Sequence, residues 1–132
     1  MIFVDANVPM YVIGAEHPHK AEAQLLIERV TAARERLVTD AEVFQEILHR
    51  YMAIKRRDAI QPAFDLVHAM VEEIFPIDVA SIELAKALIL MHPKLSARDA
   101  IHAATMQRHQ VERILSFDAG FDSLPGIIRI GA

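Results

Sequence analysis

Residues 1–12, MIFVDANVPMYV, contain the feature that decides the fold, a short apolar segment that stops at an acid. Residues 2–4 are apolar and partly β-branched, which is typical of a fully buried strand. Asp5 follows directly, and an ionised carboxylate beside a buried strand is costly unless another group pairs with it. Asn7 is placed to cap a following helix, in which Pro9 is tolerated in the first turn. The start of the chain therefore predicts a strand, an acid that needs a partner, and a helix.

The rest of the chain repeats this alternation of short apolar segments and helical patterns. Further strands are predicted at RLVT (36–39), IFPID (74–78), ERILSF (112–117) and GIIRI (126–130). Further helices are predicted over residues 19–34, from about residue 40 to the basic turn KRRD (55–58), and over 62–73, 79–92 and 97–109. Short apolar strands that alternate with helices indicate an α/β domain built around a mainly parallel sheet.

Three of these helices carry a predicted start signal. Thr39 and Glu42 have the Ser/Thr-x-x-Glu spacing of a capping box, Asp78 is a candidate cap, and Ser96 with Asp99 repeats the same logic. The helix after Thr39 also carries an apolar stripe at i, i+3, i+4 and i+7. The stripe consists of Phe44, Ile47, Leu48 and Tyr51.

Composition narrows the class of protein. With 132 residues, of which 53% are hydrophobic, the chain is long enough for one compact domain over residues 1–132. The chain has no cysteine, which excludes a disulfide framework and thiolate zinc sites and fits a reducing cytoplasm. We expect neither a signal peptide nor a membrane span, because charge interrupts every apolar pattern early. The net charge of −4 argues against a general basic surface but leaves nucleic acid open as a substrate.

Four acids each have an ordinary structural explanation, and two of them also lie where functional sites form. Asp5 and Asp118 follow predicted strands, and sites in open parallel sheets form at the carboxyl ends of strands. Asp99 suits the first turn of a helix because of the helix dipole. Glu46 lies nearly opposite the apolar stripe, so periodicity favours a solvated side chain paired with Arg50 at i+4.

Four short motifs, in this order, resemble those of the PIN-domain nucleases, and most closely the VapC-type toxins of toxin–antitoxin pairs. They are FVDAN (3–7), TDAEVFQEILHR (39–50), SARDAIHAA (96–104) and SFDAGF (116–121). The resemblance extends over nearly the whole chain. It implies a PIN-like three-layer sandwich in which helices flank a central, mainly parallel sheet.

The resemblance also implies a site. The family's catalytic acids would be Asp5, Glu46, Asp99 and Asp118, with Asp5, Asp99 and Asp118 as metal ligands. The groups that orient the substrate or support these ligands would be Asn7, Ser116 and, as an additional acid, Asp122. Ala6 replaces the hydroxyl residue that often follows the first aspartate, so one auxiliary hydrogen bond of the family is missing.

The implied chemistry needs a cation. Two carboxylates about 4 Å apart repel each other by roughly 4 kcal/mol at an effective dielectric constant near 20, so four converging acids require bound metal. Oxygen ligands favour Mg²⁺ or Mn²⁺ over Zn²⁺. Such an ion activates water for attack on a phosphodiester. The family resemblance thus implies a metal-dependent endoribonuclease toxin in the cytoplasm, a homodimer, neutralised by a cognate VapB-type antitoxin.

Several residues and functions compete with this interpretation. His102 lies on an alanine-rich helix and is interpreted as a packed or surface histidine outside the site. The basic residues 55–57 are either phosphate contacts or a solvated helix end. A catalytically inert PIN-like interaction module is one alternative function. A haloacid-dehalogenase-like phosphatase is another, although Asn7 stands where that family has a second aspartate.

Overall fold

The computed structural model describes residues 1–131, so Ala132, the last residue of the predicted domain, lies outside the described residues. The strands are β1 Ile2–Val4, β2 Leu37–Asp40, β3 Glu73–Phe75, β4 Arg113–Leu115 and β5 Ile128–Ile130. The α-helices are α1 Asn7–Ile13, α2 Pro18–Ala32, α3 Ala41–Ala53, α4 Ile60–Met70, α5 Val79–Met91 and α6 Ala97–Arg108. Short 3-10 helices occupy Arg57–Ala59 and Ala119–Ser123.

The five strands form one parallel sheet in the order β3-β2-β1-β4-β5. The predicted α/β fold with a mainly parallel sheet is therefore confirmed. The central strand, β1, has β4 as one neighbour, with Val4 opposite Leu115. Because the strands are parallel, Asp5 and Ser116 emerge side by side at the carboxyl edge of the sheet.

The side chains of β1 alternate between the two faces of the sheet, as the strand period of two requires. Phe3 belongs to a buried cluster with residues of α3, α4 and α6, including Ile47 and Met106. Ile2 and Val4 belong to a second cluster with residues of α1 and α2. The molecule thus has helices on both faces of the sheet, which is the expected three-layer arrangement.

Of the four predicted helix caps, those at Asp78 and Ser96 are confirmed, and those at Thr39 and Asn7 are wrong. The Asp78 carboxylate accepts from Ser81 N–H at 2.9 Å, and the Ser96 hydroxyl accepts from the backbone of Asp99 at 3.1 Å. Thr39 does not cap α3. The strand β2 extends one residue further, so Asp40 is the cap, and the Thr39 hydroxyl donates to the Val4 carbonyl in the core at 2.8 Å.

The apolar stripe of α3 is also only partly right. Ile47 and Tyr51 are buried as expected, but Val43 takes the third buried position and Leu48 is 43% exposed. The buried face of α3 is therefore rotated toward Val43. This rotation also turns Glu46 toward the sheet. Within residues 1–131, no helix combines the length and apolar character needed to cross a membrane.

Candidate functional site

Asp5 is almost fully buried at the end of β1, with 3% of its surface exposed. Its Oδ1 accepts from the Ala6 N–H at 2.7 Å, and its Oδ2 accepts from the Ser116 hydroxyl at 2.6 Å and from the Asn7 amide at 3.3 Å. Burial raises the pKa of Asp5, while nearby His102 and the Ser116 hydroxyl oppose the rise. These contacts fix both oxygens of the carboxylate in one orientation.

Asn7 and Ser116 connect the ends of β1 and β4. Asn7 Oδ1 accepts from the Phe117 N–H at 3.3 Å, and Ser116 Oγ accepts from the Asp118 N–H at 2.9 Å. The predicted cap at Asn7 is wrong, because α1 begins at Asn7 itself and Ala6 holds the cap position without a side-chain hydrogen bond. The Asn7 side chain is directed instead to the acid at the sheet edge.

Asp99 and Asp118 face each other across the gap between α6 and the end of β4. Burial, a hydrogen bond with Asp118 and the negative charges of Asp118 and Asp5 together raise the pKa of Asp99 to about 8. A Cβ at Gly120 would lie 3.0 Å from Asp118 Oδ1 and 3.8 Å from Asp99 Oδ2, so both carboxylates border the same spot. Without a cation, Asp99 therefore keeps its proton at neutral pH.

Glu46 is directed inward rather than into solvent. Its Oε1 lies 2.7 Å from His102 Nε2, and its side chain is 14% exposed. Among the described residues, no ion pair joins Glu46 to Arg50 within 4.0 Å, so the solvated position inferred from periodicity is wrong. The ligand atoms of Asp5, Glu46 and His102 all lie within 4.8 Å of one another.

His102 is the residue whose position the sequence interpretation missed. It is fully buried, its Nδ1 lies 2.9 Å from Asp40 Oδ2, and its ring packs on Phe3. Burial alone would lower the pKa of His102, but the charge and hydrogen bond of Asp40 and the contact with Glu46 raise it well above the usual value. The histidine is packed, as expected, yet it lies inside the acid cluster.

The spacing of residues on α6 contains a signal for the position of His102 in the acid cluster. His102 follows Asp99 by three residues, a spacing that places both side chains on one face of α6. Asp40, which caps α3 through its Oδ1, uses its other oxygen to hold His102. Neither residue belongs to the predicted set, because each has a sufficient local explanation.

Asp122 pairs with an arginine rather than with the other acids. Its exposed carboxylate pairs with Arg129 through two contacts of 2.9 and 3.0 Å, and Arg129 also donates to the Ser116 carbonyl at 3.2 Å. This pairing holds the pKa of Asp122 below its usual range. Arg129 thus links Asp122 to the Ser116 carbonyl.

The acids open into a cavity of about 600 Å³ that Glu46, Asp99 and Asp118 help to line. Carboxylate oxygens are the main donors, because both ring nitrogens of the adjacent His102 already contact Asp40 and Glu46. Oxygen donors suit Mg²⁺ and Mn²⁺. The cluster of Asp, Glu and His side chains is thus a candidate metal site whose acids face a solvent-accessible space.

A family model, curated relatives and solved structures all relate this chain to the same family. The model of the PIN domain matches residues 2–127. Ribonuclease VapC13 of Mycobacterium tuberculosis (strain ATCC 25618 / H37Rv) is 57% identical over 130 residues, which cover 98% of this chain and 99% of the relative. The crystal structure of M. tuberculosis VapC20, a toxin that cleaves the sarcin-ricin loop, matches with a TM-score of 0.83 at 19% identity and covers 100% of both chains. VapBC2 from Rickettsia felis, solved with a promoter DNA fragment, matches with a TM-score of 0.73 at 17% identity over 98% of each chain.

Proposed function

Because the chain belongs to the PIN-domain family, and within it to the VapC ribonucleases, we propose that it is a metal-dependent endoribonuclease toxin. The observation that carries this proposal is the convergence of acids at the carboxyl edge of the sheet. Asp5 follows β1, Asp118 follows β4, and Asp99 lies in the first turn of α6. Membership in the PIN family also favours nuclease chemistry over the haloacid-dehalogenase-like alternative.

We assign the metal site to Asp5, Asp99 and Asp118, with Mg²⁺ or Mn²⁺ as the ion. The raised pKa of Asp99 supports a cation here, because burial and the negative charges of Asp118 and Asp5 disfavour its ionised form, and a divalent ion would offset both. When bound, the ion lowers the pKa of a water molecule and stabilises the charge on the cleaved phosphodiester.

The chain's own residues orient the reacting groups. Glu46 borders the cavity and is held by His102, so its carboxylate can accept a hydrogen bond from the attacking water. Asn7 and Ser116 fix the Asp5 carboxylate. We assign Asp122 a supporting role only, through its ion pair with Arg129.

The family context extends the proposal to partners. The solved structures of similar fold include VapBC complexes. They support a VapB-type antitoxin as the partner that blocks this site. We further propose a homodimer, a single domain over residues 1–132, and action on RNA in the cytoplasm. The mass of the protein in solution, alone and co-expressed with the product of the upstream gene, tests the homodimer and the antitoxin partner.

Inducible expression of the wild type and of Asp5→Asn, with sequencing of new RNA 5′ ends, tests the activity. We expect growth arrest and discrete cuts for the wild type only, and loss of purified RNA cleavage in EDTA. Asp65→Asn, at an exposed acid on α4, is the matched control and should behave as the wild type. A folded Asp5→Asn protein that cuts RNA at the wild-type rate would contradict the assignment.

The inert-module alternative makes the opposite prediction. A wild-type protein that cuts no RNA in Mg²⁺ or Mn²⁺ but still binds its antitoxin would be an interaction module. Hydrolysis of a phosphomonoester such as p-nitrophenyl phosphate without RNA cleavage would instead indicate a phosphatase.

A further inference from the structure

A second cavity, of about 460 Å³, lies beside the acidic one, between α1 and α3. Glu46 and Arg98 line both cavities, so the two share a wall. The volume falls within the range of about 300–1,000 Å³ that is usual for ligand sites. A ligand here would lie directly next to the proposed reaction centre.

One wall of this second cavity carries aromatic rings. Tyr11 stacks on His17, with ring centroids 4.7 Å apart, and both residues line the cavity. His17 also caps α2, because its Nδ1 accepts from the His19 N–H at 3.1 Å. The stacking and the cap fix the ring of His17, although the residue itself is exposed. Exposed, fixed rings are the usual platforms for unpaired RNA bases.

The cavity also carries arginines, which differ in their availability. Arg56 is already paired with Asp58 at 3.0 Å. Arg98 has only a distant contact with Glu42, at 4.0 Å. Arg50 has no ion pair within 4.0 Å among the described residues. Arg50 and Arg98 are therefore available for a negatively charged ligand.

We propose that this cavity binds a nucleotide adjacent to the cleaved bond of a single-stranded RNA. The base lies against the rings of Tyr11 and His17, and the phosphate contacts Arg50 and Arg98. This inference rests on the proposed ribonuclease function and adds a place for the substrate. It also explains how an acidic protein holds RNA, since the positive charge is local rather than general.

The test measures binding separately from cleavage. Fluorescence anisotropy with a labelled single-stranded RNA of mixed sequence, about 12 nucleotides long, is recorded in EDTA over a range of salt concentrations. The combined variant Arg50→Ala/Arg98→Ala should bind roughly tenfold more weakly, and the slope of log K against log salt should fall by about 1.4, for two lost phosphate contacts. Arg29→Ala, at an exposed arginine outside the cavity, is the matched control. It should change the slope by much less than the double variant does.

The ring is tested by His17→Asn, which keeps a side-chain acceptor for the cap of α2. This variant should weaken RNA binding roughly fivefold or more while leaving the salt slope unchanged, because stacking does not release counterions. His49→Asn, at an exposed histidine of α3 outside the cavity, should bind as the wild type.

The failure of this inference can be told from failure of the proposed function. If the wild type cuts no RNA in Mg²⁺ or Mn²⁺, the proposed function is wrong. If the wild type cuts RNA but the double arginine variant keeps its affinity and slope, the nucleotide site is wrong. Loss of antitoxin binding in that variant, with RNA binding unchanged, would identify a protein-docking surface and would also overturn the proposal.

Discussion

The pairing of Asp99 with Asp118 predicts that Asp99→Asn stabilises the metal-free protein at alkaline pH. The pKa of Asp99 is about 8 in the folded protein, against an ordinary value of 3.8. A pKa that is higher in the folded state means that the unfolded state loses its proton first. The folded state is therefore progressively destabilised as pH rises from about 4 to about 8.

The size of the effect follows from the pKa difference. A pKa of about 8 against 3.8 corresponds to about 6 kcal/mol as an upper limit. Asp99 is only partly buried, so water and counterions screen its charge, and we expect about 2 kcal/mol in practice. The substitution also removes a favourable carboxylate from the first turn of α6, which costs about 0.5 kcal/mol. The expected net gain is thus about 1–2 kcal/mol.

Urea unfolding, followed by circular dichroism in EDTA at about pH 6 and about pH 9, measures this difference. Asp99→Asn should gain about twice as much stability over the wild type at the higher pH as at the lower one, since the loss develops between about pH 4 and about pH 8, and Asp65→Asn should show no such gain. An excess of Mg²⁺ should then stabilise the wild type more than Asp99→Asn. If Asp99→Asn were no more stable than the wild type at about pH 9 in EDTA, the proposed repulsion between the two acids would be wrong.

Three further substitutions test contacts around the site. His102→Leu removes the partner of the buried Asp40 carboxylate and should lower the free energy of unfolding by about 3 kcal/mol, measured by urea denaturation. Thr39→Val keeps the side-chain shape but removes the hydroxyl bonded to the β1 backbone, so a loss of about 1–2 kcal/mol is expected in the same measurement. Ser116→Ala removes the 2.6 Å hydrogen bond to Asp5 and should weaken Mn²⁺ binding roughly tenfold, measured by titration calorimetry, with the circular dichroism spectrum unchanged.

The local patterns that proved reliable are those whose cause is local. Strand and helix alternation, and the caps at Asp78 and Ser96, depend on residues within one turn of each other. The prediction of Thr39 as the cap was wrong because two adjacent residues can both cap α3. The end of β2 determines which of them does so. Because β2 pairs with β3 as far as Asp40, Thr39 is part of the strand and its hydroxyl donates to the Val4 carbonyl, which leaves Asp40 at the start of the helix.

Glu46 could not be positioned by periodicity because an apolar stripe reports only where apolar atoms are buried. Its inward orientation depends on His102, which lies 56 residues further along the chain. Hydrophobic patterning carries no information about such a polar contact. The family resemblance included Glu46 in the acidic centre without a physical reason, and the hydrogen bond to His102 supplies one.

The motif SARDAIHAA illustrates how one short helix segment serves several purposes at once. Ser96 caps the helix, and the spacing of Asp99 and His102 brings both to the side of the acids. Ala100 and Ala104 are buried on another side, within a cluster that includes residues of α5. Small side chains at these positions allow α5 and α6 to pack closely. That packing fixes α6 from one side while the bond between Asp40 and His102 fixes it from the other, so Asp99 is held near Asp118 in spite of their repulsion. The two carboxylates are therefore held close together without a cation, which is the condition under which the alkaline stabilisation by Asp99→Asn can be observed.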